Sequence, residues 1–347
     1  MKEILQSYTL TQIEQLMQVL HQPSFRAKQM YTWCMNYTPI REMSNLPLAL
    51  RAQLEQSYTS TPVTILKEYT SKDGTQKFLL QLQDNQLIEC VLMHYTYGNT
   101  LCISSQVGCR MGCEFCASGK NGWFRNLTSG EMLGEVLCVN QHIGGTMQNR
   151  KITNIVLMGS GEPLDNYENT IAFIRQVSAP EGICISQRNI SLSTCGLVPE
   201  IEKLAQENLD ITLTISLHAA TDAKRSAIMP IARRYSIAEL ITAVRNYQTT
   251  TKRRVVFEYV LTTTNGTHAD VQALKNLCKG LLCHINIIPL NQGVSAQTTV
   301  SRTRAEAFCK KLEEAGLSAT VRRTLGADIE GACGQLKRRY LENQSNA

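Results

Sequence analysis

The chain has 347 residues and 43% hydrophobic content, enough for one large α/β domain with an accessory module and a real core. Its net charge of +6 gathers in short clusters, Arg233-Arg234, Lys252-Arg253-Arg254, Arg322-Arg323 and Lys337-Arg338-Arg339, which suit either a solvated surface or a phosphate backbone. No apolar run reaches bilayer-spanning length and the amino terminus has no secretory pattern, so a reducing cytoplasm is expected, with thirteen cysteines acting as thiols, ligands or nucleophiles.

Residues 1–58 read as a small helical unit. Thr11-Gln-Ile-Glu14 fits a capping box, and Ile13, Leu16, Met17 and Leu20 follow at helical spacing. A second helix is expected after Ser24, carrying Met30, Trp33 and Cys34, and Pro47 separates two further short helical stretches. Residues 59–96 read as a β-meander, with hairpin turns at Asp73-Gly74 and Asp84-Asn85 and with Glu89 on the last strand.

From 97 to 347 strands alternate with amphipathic helices. The strands are expected at 100–104, 152–158, 189–194, 211–217, 255–261 and 285–290, with a possible last one near 319–325. The first helix opens on the capping box Thr128-Ser-Gly-Glu131. This is an α/β pattern around a parallel sheet. Six strands are too few for a closed eight-stranded barrel, so a partial barrel or an open doubly wound sheet is expected, with its site at the strands' carboxyl ends.

Cys109-x3-Cys113-x2-Cys116 follows the first strand of that repeat. A structural zinc site wants four protein ligands, usually as two separated pairs, and the nearest spare cysteine, Cys138, falls inside a predicted helix. Three thiolates on a 4Fe-4S cluster would leave one iron open to a small molecule. A zinc-dependent RNA-binding module, closed by one distant ligand, is the competing reading.

The Cys109-x3-Cys113-x-Phe115-Cys116 pattern resembles the radical S-adenosylmethionine (SAM) superfamily, and Gly159-Ser-Gly161-Glu162-Pro163 resembles the segment that holds the SAM amino group there. Further motifs narrow the likeness to the RlmN/Cfr family of RNA adenine methyltransferases: Phe25 to Gln29, Cys102 to Cys109, Arg125 to Thr128, Ser191 to Thr194, Ser216-Leu217-His218, Ile288 to Asn291 and Gly326 to Leu336. The resemblance implies a partial (β/α)6 barrel with a helical accessory domain. It implies one 4Fe-4S cluster on Cys109, Cys113 and Cys116, two SAM molecules per turnover, and SAM contacts from Gly161, Glu162, Ser193, Ser216, Leu217, His218 and Asn291.

Cys333 resembles the methyl-carrying cysteine. In the family it is methylated by one SAM, then loses a hydrogen to the radical made from a second, and the sulfur-bound methylene adds to an adenine carbon. Cys102 resembles the cysteine that releases the product by forming a disulfide with Cys333, and Glu89 the proton acceptor. Cys34, Cys90, Cys184, Cys278, Cys283 and Cys309 match no role and read as structural. Ser160 stands where the family pattern leads one to expect methionine.

The implied substrates are 23S rRNA in the peptidyl-transferase region and adenosine 37 of some tRNAs, methylated at carbon 2, by a monomer reduced by flavodoxin or ferredoxin. Pro163 and the Ile288 to Asn291 segment resemble this branch. The alternative branch methylates carbon 8 of the rRNA adenosine and confers antibiotic resistance. A glycyl-radical activase or other radical SAM enzyme would share the cluster without requiring Cys333 or Cys102.

Overall fold

A computed structural model describes residues 1–120, 122–289, 300–329 and 331. The chain forms two compact units. The first comprises Met1–Val107, Arg125–Ser160 and Asn166–Ile190; the second comprises Gly108–Phe124, Gly161–Asp165 and the chain from Ser191 onward.

The first unit begins with β1 (Glu3–Ile4) and three helices, α1 (Leu10–Val19), α2 (Phe25–Met35) and α3 (Leu48–Ser57), and β2 (Tyr58–Thr59) pairs in parallel with β1. The cap of α1, Thr9, lies two residues before the expected one. Thr9 Oγ1 accepts from Gln12 N at 3.3 Å while Gln12 Oε1 accepts from Thr9 N at 2.8 Å. Thr9-Leu-Thr-Gln12 is as good a capping box as Thr11 to Glu14, and the earlier one adds residues to the helix once nucleation has been met. Ile13 and Met17 remain its buried face.

Strands β3 (Val63–Thr70), β4 (Gln76–Leu82), β5 (Leu87–Tyr95) and β6 (Gly98–Ile103) are antiparallel neighbours in sequence order. The first turn holds Gly74 at φ +85° and the second Asn85 at φ +63°, the left-handed positions that such hairpins require. Two short strands, β7 (Gln106–Gly108) and β8 (Trp123–Asn126), pair with each other. Helix α4 (Ser129–His142), capped by the expected Thr128/Glu131 box, then leads to β9 (Ile152–Leu157), parallel to β6, and to α5 (Tyr167–Val177).

One buried charge-bearing group in this unit is unexpected. Glu135 on α4 is fully buried; its Oε2 accepts from Ser104 N at 3.1 Å and its Oε1 has no partner among the described residues. Burial, above all, holds its carboxyl well above the usual range, so the folded protein holds that proton to higher pH than the unfolded chain does. The unfolded chain releases that proton above about pH 4.3. This group therefore lowers stability as pH rises from there, by up to about 1.4 kcal/mol per pH unit until its folded-state value is passed. Glu135→Gln should flatten the fall of Tm between pH 5 and 8; equal slopes for both proteins would mean that Glu135 is ionised in the fold.

The second unit carries β10 (Ile190–Thr194) from Ser191 on, α6 (Val198–Leu204), β11 (Thr212–Ser216), α7 (Asp222–Ile228), α8 (Ile237–Thr251), β12 (Val255–Leu261), α9 (His268–Cys278), β13 (Cys283–Pro289), α10 (Arg302–Glu314) and β14 (Ala319–Val321). Strands β10 to β14 lie side by side in sequence order and all parallel, which places every βα connection's start on one edge. Helices α8 and α9 have capping boxes at Ser236/Glu239 and Thr267/Asp270. The final strand, left open by the sequence, is present.

The basic clusters are not uniformly surface charge. Arg322 Nη1 lies 2.9 Å from buried Glu258, and Arg253 pairs with Asp210 at 3.7 Å. Lys337-Arg338-Arg339 lie outside the described residues. Among those described, no helix is long and apolar enough to cross a membrane.

Candidate active site

The second unit contains the three-cysteine loop. Gly108 closes its start at φ +76°, where a Cβ would sit 2.0 Å from the Gly122 carbonyl oxygen, so only glycine permits the turn. Cys109 N then donates to Gly122 O (3.1 Å) and Cys116 N to Cys113 O (3.1 Å), and the loop's main chain is tied to the end of α7 by Glu114 N to Ile228 O (3.0 Å). Cys109 is buried, and Cys113 and Cys116 are half-buried. Burial, reinforced by the neighbouring thiols and Glu162, pushes the Cys109 and Cys113 thiols up to about 12. Free thiolates are disfavoured there, whereas metal ligation both deprotonates the sulfur and neutralises its charge.

Among the described residues, no group of three His, Cys, Asp or Glu side chains converges on one metal-ion position. Cluster thiolates each bind a different iron and so stand further apart than ligands of a single ion. Three thiols on one short loop suit a cluster in which each thiolate binds its own iron.

Gly161 turns the chain at φ +109°, and Glu162 beside it is buried, with Oε2 accepting from Cys195 N at 2.7 Å and Oε1 from Leu164 N at 3.0 Å. Burial raises its carboxyl above the usual range, opposed by those hydrogen bonds. Arg110 holds Asp165 through two bonds of 2.7 and 2.8 Å. Ser193 and Ser216 sit half-buried near the ends of β10 and β11; Leu217 and His218 follow β11, and both of their N–H groups donate to Glu258 O.

His218 adopts φ +58°, rare for a residue with a side chain and common at functional sites. Its Nδ1 accepts from Val260 N at 3.2 Å, leaving the ring proton on Nε2. Burial, with Arg225 nearby, lowers its pKa to about 3, so the imidazole is neutral at physiological pH. Its ring meets Phe115 edge-on, with centroids 4.7 Å apart. The aromatic of the cysteine motif thereby touches an expected SAM contact.

Glu89 and Cys102 belong to the first unit. Cys102 lies opposite Val91, so Glu89, two residues along β5, shares its face of the sheet as a diagonal neighbour. Lys77 lies opposite Val91 from the other side and pairs with Glu89 at 3.6 Å, both side chains buried. Cys333 and Asn291 lie outside the described residues.

Two participants carried no signal in the sequence. Lys77 alternates with ordinary strand residues, and Arg225 sits in a short helix among Asp222, Lys224 and Ser226, yet both are buried. Cys195, which no motif singled out, joins Glu162 and Arg225 through its main chain, its N donating to Glu162 Oε2 at 2.7 Å and its O accepting from Arg225 Nη2 at 2.6 Å.

Residues 103–265 match the family model described as the radical SAM superfamily. Among curated relatives, a protein of Clostridium botulinum (strain Eklund 17B / Type B) named "Probable dual-specificity RNA methyltransferase RlmN" is 49% identical, with 99% of each chain covered. A protein of the same name from Clostridium perfringens (strain 13 / Type A) is 46% identical over 99% of each chain. A crystal structure of a radical SAM methyltransferase from Sphaerobacter thermophilus superposes with a TM-score of 0.92 at 42% identity, covering 96% of this chain and 99% of that one. Radical SAM enzymes use a 4Fe-4S cluster and SAM, and with full-length identity at this level the chain belongs to the RlmN family of radical SAM RNA methyltransferases.

Proposed function

We propose that this protein methylates carbon 2 of an adenosine in 23S rRNA and of adenosine 37 in some tRNAs, using two SAM molecules per turnover. The reading is carried by the second unit's combination of the Cys109/Cys113/Cys116 loop with Glu162, whose carboxylate is already anchored by two main-chain N–H groups. Pro163 and the Ile288 to Asn291 segment support the carbon-2 branch through resemblance alone.

Cys109, Cys113 and Cys116 would hold the cluster, with Gly161, Glu162, Ser193, Ser216, Leu217, His218 and Asn291 around SAM. When bound, these groups supply the reductive cleavage that yields a 5'-deoxyadenosyl radical. Carbon 2 of adenine has no lone pair with which to attack an electrophilic methyl, so the carbon is delivered by sulfur. Cys333, as thiolate, accepts the methyl group and later bonds through its methylene to carbon 2. Glu89 takes the proton from that carbon, and the Cys102 thiolate attacks the Cys333 sulfur and breaks its bond to the methylene, which takes up a proton to become the product's methyl group while the adduct's unpaired electron leaves to the oxidised electron carrier and the two cysteines form a disulfide. His218 serves as a neutral donor through Nε2.

Residues 1–58 are assigned as an RNA-binding accessory domain, 59–96 as the connecting meander and 97–347 as the core. A monomer working in the cytoplasm with a flavodoxin- or ferredoxin-type reductant completes the proposal. Because the base must leave its stack to be modified, single-stranded or loop adenosines are the preferred substrates.

Anaerobically purified protein should be brown, and expressing it in a strain lacking the activity should restore 2-methyladenosine in rRNA and tRNA, read by nucleoside mass spectrometry. Appearance of 8-methyladenosine alone would transfer the protein to the other branch; colourless protein with one tight zinc would remove the radical mechanism.

A further inference from the structure

Arg225, on α7, is completely buried. Among the described residues every hydrogen bond it makes goes to a neutral carbonyl: Nε to Leu217 O at 3.2 Å, and Nη2 to Cys195 O at 2.6 Å and Ser216 O at 3.3 Å. Its Nη1 has no partner among the described residues. Asp222, the carboxylate in its field, accepts from Ile237 N at 2.7 Å and forms no ion pair with Arg225. A buried guanidinium with an idle donor and no paired anion is costly, and such a charge persists where something else compensates it.

The surroundings identify what that is. α7 abuts the three-cysteine loop: Glu114 N bonds to Ile228 O, and Gly112 lies against the Pro230 ring that follows the helix. Once ligated, three thiolates and an iron–sulfur core bring net negative charge into this wall of the unit.

We propose that Arg225 is a positioning and charge-balancing residue for the cluster: its fork holds the carbonyls after β10 and at the end of β11, while its charge and remaining N–H compensate the anionic group bound by Cys109, Cys113 and Cys116. This rests on the cluster assignment made above. A cation at this place also favours the reduced over the oxidised cluster, because reduction adds negative charge beside it.

Wild type, Arg225→Gln and Arg225→Lys, each verified as folded by circular dichroism, would be reconstituted anaerobically with ferrous iron and sulfide and titrated potentiometrically with an electron paramagnetic resonance readout. Arg225→Gln should show a more negative midpoint potential, with the ratio of reduced to oxidised cluster at a fixed potential falling about tenfold. Arg225→Lys, which keeps the charge but not the fork, should stay near the wild-type potential. A Gln variant whose cluster titrates like wild type overturns the proposal. If the Gln variant holds no cluster, the Lys variant decides: a wild-type potential supports the charge role, and a shifted potential or an empty site overturns it. Wild-type protein that takes up no cluster would instead strike at the cofactor assignment itself.

Discussion

Cys113→Ala is expected to lose its iron, its visible absorbance and all RNA methylation above background. The effect should be total because, in the proposed assignment, each loop thiolate would hold a separate iron, and losing one would leave the cluster short of a protein ligand. The variant should nonetheless fold. Cys113 is half-buried, and the loop is held by main-chain bonds from Cys109, Glu114 and Cys116 that do not involve its sulfur. The burial that raises the Cys113 thiol to about 12 in the metal-free loop also means that nothing is lost electrostatically by removing it there. Cys34→Ala provides the contrast. Cys34 is fully buried on α2, so its loss should cost on the order of 1 kcal/mol of stability through the cavity left, with cluster and activity retained. Iron and sulfide analysis with nucleoside quantitation reads both, and turnover by a brown Cys113→Ala protein would defeat the ligand assignment.

Cys333→Ala and Cys102→Ala should both end turnover, at opposite ends of the reaction. Without Cys333 no sulfur accepts the methyl group, so RNA should be recovered unmodified and unattached. Without Cys102 the carbon is delivered but not released, so RNA should remain covalently joined to the protein, visible as a shifted band under denaturing conditions. Cys102 is 6% exposed on β6, with Glu89 a diagonal neighbour on the same face and Lys77 pairing with that carboxylate, so an alanine there removes a sulfur without disturbing the strand's main-chain hydrogen bonds. Methylation by Cys333→Ala at the wild-type rate would eliminate the sulfur-borne carbon, and a Cys102→Ala protein free of attached RNA would leave the resolving step without its residue.

The parallel strands were legible because each is a short apolar run set between amphipathic helices with recognisable caps; β12 spans Val255–Leu261, the range the pattern predicts. The meander was legible because Asp73-Gly74 and Asp84-Asn85 supply left-handed turns that few other residue pairs tolerate. The start of α1 was less so, since two overlapping capping boxes satisfy the same local rule and only helix length separates them. Arg225 and Arg322 were illegible. A basic residue in a polar stretch reads as solvent-facing, and burial of the Arg225 side chain against the carbonyls of Cys195, Ser216 and Leu217 and pairing of Arg322 with Glu258 depend on chain that is distant in sequence.

The sequence by itself determined the family, the cysteine spacing and the order of strands and helices, because these are properties of neighbouring residues: ligand spacing within one loop, periodicity within one element, turn chemistry at two positions. Only the tertiary structure decided which charged groups share an interior. Cross-strand register puts Lys77, Glu89 and Cys102 on one face, strand ends bring Glu162 to Cys195, and α7 carries an uncompensated guanidinium to the cysteine loop. Burial and register are set by contacts between segments far apart in the chain, and the energy of a charge depends on that environment far more than on its neighbours in sequence.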